Sequence, residues 1–338
     1  MGERGDNRVL LAHGGGGILM RELISRVVDK LGGQDRSSLQ DSAVFPIEGG
    51  RIAFTTDSFV VSPLFFPGGD IGRLAVCGTV NDLAVCGARP LSISLSFIIE
   101  EGLPFEVLER IIDSIAAASG EAGVTVITGD TKVVEHGNAD GIFINTSGLG
   151  VVPDGVDVSS KNARPDDVVI VNGPIGEHGL AILSHREGID FGSDLRSDTA
   201  PLSTLIVPLL EKTNGIRAMR DATRGGLAAV LNEIAKDSGV CIHIVEDSIP
   251  ITKPVRNGCE LMGYDPLHIA NEGKFISIVA RDDAGTVLRA MREHPLGKGA
   301  VVIGEVISNP PEHVILKTAL GGERVVDIPY GDLLPRIC

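Results

Sequence analysis

Five aspartates stand where strands or helices give way to small residues. They are Asp41 in "QDSAVF", Asp57 in "TTDSF", Asp82 in "VNDLAVCGA", Asp130 in "TGDTK" and Asp221 in "MRDATRGG". Brought together they would repel one another unless a cation neutralised them, and hard carboxylate oxygens suit magnesium. Asp82 is the sharpest case. With Asn81 it interrupts an otherwise apolar helical run, where an unpaired carboxylate would be costly to bury. A structural role competes at each position, since Asp41 and Asp221 precede apolar stretches and could be caps or Asx-turns. Five recurrences of one context favour the cation.

Other residues could supply the rest of a reaction. "DATRGGLAAV" sets Gly225-Gly226 at a helix start, where free N–H groups and the helix dipole favour an anion. "HGGGG" (His13 to Gly17) could do the same or cover bound phosphates, although glycine pairs also mark ordinary turns. No P-loop and no G-x-S-x-G elbow occurs. Glu272 in "ANEGKF" sits at a strand entrance, where a solvated turn residue is the competing reading. Lys132, two residues after Asp130, could equally be an exposed strand residue. The chain closes on "PRIC", so Cys338 carries a thiol at its end. Its adjoining carboxylate disfavours a thiolate, which suits a group that is modified and carried rather than a pre-activated nucleophile. No other cysteine forms a C-x-x-C or zinc spacing; Cys77, Cys86 and Cys241 read as small core residues, and Cys259 is harder to place.

These residues need a scaffold, and 338 residues are enough for two domains with a buried core. A net charge of -15 without a basic stripe, and aromatics at only 4%, argue against nucleic acid. No apolar run spans a bilayer and no secretory leader is visible, so a soluble cytoplasmic protein is expected. Apolar spacing predicts helices in "ILMRELISRVVDKLGG", "DIGRLAVCGTVNDLAVCGARP" and "PFEVLERIIDSIAAASGEAG". Alternation predicts strands in "RIAFTTDSFVVSP", "LSISLSFIIE" and "GIFINTSGLGVV". Strands alternating with helices, several with one polar face, predict an α+β fold whose sheets are covered on one side. The turn-rich "PDGVDVSSKNARPDD" marks a domain boundary. The expected units are a Gly-rich segment and helix (1–40), an N-terminal domain (41–154), a C-terminal domain (155–327) and a mobile tail (328–338).

In this order, "HGGGG", "DSAVF", "TTDSF", "VNDLAVCGARP", "TGDTKV", "RDATRGGL", "NEGKF" and "PRIC" resemble the HypE family of hydrogenase maturation factors. That family lies within the PurM-like, AIR synthetase-related superfamily of ATP-using enzymes. "NDLAVCGA" and "DATRGGL" are shared with selenophosphate synthetase and thiamine-monophosphate kinase, whereas "PRIC" singles out HypE. One departure is the all-glycine run at 14–17, where relatives commonly carry Ala or Ser. The resemblance implies a two-domain PurM-like chain with ATP between the domains. It also implies a homodimer in which strands of both N-terminal domains form a shared barrel. A HypF-type carbamoyltransferase would load a carbamoyl group on Cys338. ATP would then drive dehydration of this S-carboxamide to an S-cyanide through an imidate phosphate. The HypC–HypD complex would receive the cyanide as a ligand for the iron of [NiFe]-hydrogenase. In these terms Cys338 carries the group, Glu272 is the base and Lys132 stabilises charge. Asp57, Asp82, Asp130, Asp221, Asn81, Thr223, Gly225, Gly226, Gly15 and Gly16 serve ATP. Asp41, Asp57, Asp82, Asp130 and Asp221 hold Mg2+. A free-metabolite kinase of the same superfamily, or a non-catalytic scaffold, would instead leave Cys338 idle.

Overall fold

The computed structural model describes residues 9–15, 17–31, 40–191, 194–331 and 334–338. After α1 (Ile18–Leu31), the first sheet is made by β1 (Ala43–Ile47), β2 (Gly50–Phe59), β5 (Arg89–Glu100), β6 (Thr125–Val134) and β7 (Ile142–Val152). Its order is β1-β2-β7-β5-β6, with β6 a parallel edge strand. The two-residue strands β3 (Phe65–Phe66) and β4 (Gly69–Asp70) form a small ribbon leading into α2 (Ile71–Val85). The helix α3 (Phe105–Ala122) follows β5.

The second sheet begins with β8 (Val168–Val171) and continues after α4 (Glu177–Glu187) and α5 (Ser203–Lys212) with β9 (Ile216–Asp221). Next come α6 (Gly226–Ser238), β10 (Cys241–Val245), α7 (Lys253–Met262), β11 (Phe275–Val279) and α8 (Ala284–Glu293). The strands β12 (Val301–Ile307), β13 (His313–Lys317) and β14 (Glu323–Val325) complete it, in the order β14-β13-β10-β12-β8-β11-β9. The fold is α+β in two sheet-based halves.

One-sided cover holds for the first sheet only. Along β2, Ala53, Thr55 and Phe59 are buried beneath the helices, whereas Phe54, Thr56 and Ser58 are exposed on the open face. In the second sheet β8 and β11 are buried residue by residue. Val169, Val171, Ile276 and Ile278 pack with α6, while Val168, Ile170, Phe275 and Val279 pack with α5 and α8. Two-sided burial follows from the apolar runs "VVIV" and "FISIV", which hold one buried serine, Ser277, in place of the serine alternation of β5.

The helix α2 joins the halves. Asp70 caps it by accepting from the N–H groups of Gly72 and Arg73 at 2.8 and 3.0 Å. Gly87, at φ +82°, lies just beyond its end. Leu74, Val76 and Val80 pack into the first core, whereas Ala84 and Val85 pack against the second. Burying a side chain of this size contributes roughly 1.5–3 kcal/mol. A helix apolar on nearly every face is fixed on all sides, and so is the carboxylate it carries.

The chain's end departs from the expected mobile tail. Leu334 and Ile337 are buried, and Cys338 packs against the same core. The Val60 and Ser62 N–H groups donate to the Cys338 and Arg336 carbonyls at 3.1 and 3.2 Å. Aperiodicity and two prolines in "DIPYGDLLPRIC" forbid a helix, but they do not prevent docking beside residues 60–62. Among the described residues, no helix is long and apolar enough to cross a membrane.

Candidate active site

Three carboxylates from three parts of the chain meet at the seam. Asp41 precedes β1, Asp82 rides on α2 and Asp221 ends β9; each offers an oxygen, all within 4.8 Å of one another. The Thr55 hydroxyl of β2 lies 2.7 Å from Asp82 Oδ2 and 2.9 Å from the Asp41 carbonyl oxygen, tying the loop to the helix. Arg220 Nε stands 2.9 Å from Asp41 Oδ2, and Arg220 Nη2 stands 2.6 Å from Glu233. Arg21 of α1 reaches the same Glu233 at 2.8 Å.

The guanidinium groups of Arg220, Arg21 and Arg224 do not balance this charge. Burial raises the Asp41 carboxyl to about 6 against the pull of Arg220. Burial, with Asp57, Asp221 and Asp41, pushes Asp82 well above the carboxylate range, and Asp221 rises likewise through burial and Asp41. Asp57 is raised by burial as well, with Arg224 opposing. Glu272 is 3% exposed, and its Oε1 is buried without a hydrogen-bond partner. Burial and the charges of Asp221, Asp198 and Asp57 push its carboxyl far up. Carboxylates crowded to this degree either stay protonated or receive a cation. An oxygen-only donor set fits Mg2+.

The cluster opens on a cavity of about 500 Å³, the size of a small-molecule site. Asp57, Asp82, Asp221, Thr223 and Glu272 line it, and so does Cys338. Met20, Ile24 and Val28 of α1 give it an apolar wall that could receive a flat base, while Arg21 and Lys236 add positive charge. Arg224 Nη1 donates to the Gly14 carbonyl at 2.8 Å, holding the glycine-rich segment at the rim.

Several expected residues lie elsewhere. Asp130 and Lys132 pair on the exposed edge strand β6 at 2.6 Å and are not among the residues lining the cavity. Asn81 is fully occupied inside the fold: its Nδ2 donates to the Ala200 and Glu272 carbonyls, and its Oδ1 accepts from Leu202 N–H at 2.7 Å. Through these bonds it holds the Glu272 backbone. Gly226, at φ +59°, is packed so closely that a Cβ would lie 2.4 Å from the Leu267 carbonyl oxygen. Gly225 and Gly15 line a smaller recess beside the tail. Gly16 lies outside the described residues.

Sequence reasoning missed Thr55, Arg220, Glu233 and Arg224. A visible signal existed for two of them, since Arg220 and Arg224 flank Asp221 in "MRDATRGG".

The fold and this acidic seam define a class. The model of the AIR synthase related protein N-terminal domain matches residues 39–152, and that of its C-terminal domain matches residues 164–317. Within this class the chain is 52% identical to carbamoyl dehydratase HypE of Bradyrhizobium diazoefficiens, over 97% of this chain and 95% of that one. A crystal structure of a HypE–HypF complex superposes with a TM-score of 0.86 at 49% identity, covering 93% of this chain and 100% of the other. HypE in complex with ATP superposes with a TM-score of 0.83 at 44% identity, covering 98% and 100%. The chain belongs to the HypE family.

Proposed function

We propose that this chain is an ATP-dependent carbamoyl dehydratase that works on its own Cys338. The observation that carries the reading is that Cys338 lines the same cavity as the buried carboxylates and Glu272. A thiol attached to the chain needs no separate binding step, so proximity is built in. In the reaction a carboxamide on Cys338 Sγ gives up its oxygen to the γ-phosphoryl group of ATP. Phosphate departs with that oxygen, two nitrogen protons are lost and a C≡N bond remains on sulfur. The products are the S-cyanide (thiocyanate), ADP and phosphate.

The chain's residues divide this work. Asp41, Asp82 and Asp221, with Asp57 beside them, would hold Mg2+, which supplies charge neutralisation for the triphosphate. Arg21 and Lys236 add cationic donors at the cavity wall. Glu272 takes a nitrogen proton: its Oε1 has no internal partner to compete for it, and burial makes its carboxylate a strong base once ionised. Asn81 fixes the backbone on which Glu272 stands.

The carbamoyl group would come from a HypF-type carbamoyltransferase and the cyanide would pass to a HypC–HypD complex, in the cytoplasm, toward the iron of [NiFe]-hydrogenase. A HypE–HypF complex among the similar structures supports the first partner. The open face of the first sheet, with Phe54 at 44% exposure and Ile98 at 44%, supports a homodimer closed through the N-terminal halves.

Intact-mass analysis of the C-terminal peptide tests the reading. The chain is loaded with the HypF-type partner, carbamoyl phosphate and ATP, and then given more ATP. A carbamoyl adduct on Cys338 that loses one water with ATP is expected. An unmodified Cys338 beside continuing ATP hydrolysis would point instead to a kinase of a free metabolite.

A further inference from the structure

The docked tail is gripped by side chains of α4 that lie outside the acidic cavity, and Arg186 makes most of the contacts. Arg186, in the last turn of α4, gathers carbonyls from both sides of the junction. Its Nε and Nη2 donate to the Ser62 carbonyl at 2.9 and 2.6 Å. Its Nη1 donates to the Pro335 carbonyl at 2.7 Å, and Nη2 also reaches the Arg336 carbonyl at 2.8 Å. A planar guanidinium matches such a spread of acceptors, whereas an ammonium is a single point of charge.

A second contact comes from the same helix. His178 is completely buried, with Nε2 2.6 Å from the Ile337 carbonyl and Nδ1 2.8 Å from Ser197 Oγ. The carbonyl can only accept, so Nε2 carries the proton and Nδ1 accepts from the serine hydroxyl. Arg336 itself donates to the Val60 carbonyl at 2.9 Å and to Asp140 at 2.7 Å, and it holds a left-handed φ of +54° that costs energy unless fixed. Thus α4 holds three consecutive carbonyls of the tail, those of residues 335, 336 and 337, immediately before the residue that lines the cavity. None of these contacts uses the Cys338 side chain, so they are free to act whatever that sulfur carries.

We propose that Arg186, assisted by His178, is the positioning residue that docks the tail for dehydration, and that releasing this grip exposes Cys338 for loading. This rests on the dehydratase reading for its chemical consequence, but not for the grip itself. Arg186 touches no reacting atom. Its loss lowers the fraction of time the S-carboxamide spends at the cavity, and it raises the fraction in which a separate enzyme can reach the sulfur.

Full-length Arg186→Gln and Arg186→Lys variants test this, with alkylation of Cys338 by iodoacetamide and hydrogen exchange at the Val60 and Ser62 amides as readouts of docking. Both amides should be protected in the parent chain. In Arg186→Gln, Cys338 should alkylate roughly tenfold faster and the two amides should lose protection, with Arg186→Lys between. Single-turnover dehydration of the preloaded variant should slow roughly tenfold, while loading by the carbamoyltransferase is no slower. A merely structural arginine would slow both steps and lower the melting temperature. Unchanged alkylation and protection in both variants would overturn the proposal. Should the variants not fold, the parent chain decides alone: freely exchanging Val60 and Ser62 amides would overturn it, and protection matched to the alkylation rate would support it. Faster alkylation without any ATP-dependent loss of water in the parent chain would leave the grip standing and remove the dehydratase reading.

Discussion

Two of the five aspartates that the sequence groups together turn out opposite in physics. Asp82 sits on a helix buried between two sheets, with Asp41 and Asp221 close by, and its carboxyl is pushed well above the usual range by burial and by their charges. Asp130 sits on the exposed edge strand β6, where the Lys132 ammonium lies 2.8 and 2.6 Å from its two oxygens and holds its carboxyl below the usual range. The first setting stores repulsion that a cation would relieve. The second is already neutralised and solvated, and an exposed pair of this kind contributes little. A cluster of carboxylates becomes a site where its charge exceeds the counter-charge that the fold supplies.

Replacing Asp82 breaks this contrast most severely. Asp82→Asn should lower cation-dependent ATP turnover by more than roughly 100-fold, since even outer-shell partners of a metal site are worth 10–100-fold. The same change should raise the melting temperature of the metal-free protein, because it removes one of the crowded charges. Steady-state turnover and a thermal melt without magnesium read the two effects. Reduced stability together with intact turnover would count against the cluster.

Glu272→Gln should come next. It should slow dehydration of the loaded chain by about 100-fold, as loss of a general base does, and leave ATP binding in place. Single-turnover mass analysis beside nucleotide titration separates the two.

Acidity sharpens the comparison in the metal-free protein. The folded pKa values of Asp41, Asp57, Asp82, Asp221 and Glu272 are raised, so the folded state binds more protons than the unfolded chain. Stability from these groups is therefore present at low pH and lost as pH rises through their folded values. His178 acts oppositely: burial lowers it from 6.5, so below that pH it favours unfolding. Between about pH 8 and pH 6.5 the carboxylates act alone, and the melting temperature without magnesium should rise as pH falls. Saturating magnesium should flatten or reverse that slope, because it favours the ionised carboxylates.

The smallest effect belongs to the exposed pair. Asp130→Asn should leave the melting temperature within about a degree of the parent. A large loss of turnover there, with stability kept, would mean that β6 reaches the cavity of a second copy.

How much of this was legible depends on distance along the chain. The periodicity of "DIGRLAVCGTVNDLAVCGARP" located α2, a local property. The buried cost of Asp82 was equally local. What escaped were partners set by the tertiary fold. Asn81 reads as a ligand until Ala200, Leu202 and Glu272 arrive to satisfy it. "DIPYGDLLPRIC" reads as loose until Arg186 and His178, about 150 residues earlier, donate hydrogen bonds to its carbonyls. Asp130 looked like Asp57 because a strand sequence does not state whether it lies at an edge.

The most direct test titrates Mn2+, followed by its electron paramagnetic resonance signal in the presence of ATP, against the parent chain, Asp82→Asn and Asp130→Asn. The buried cluster predicts tight binding in the parent, unchanged binding in Asp130→Asn and binding weakened by more than roughly tenfold in Asp82→Asn. Equal affinity in Asp82→Asn and the parent would contradict it.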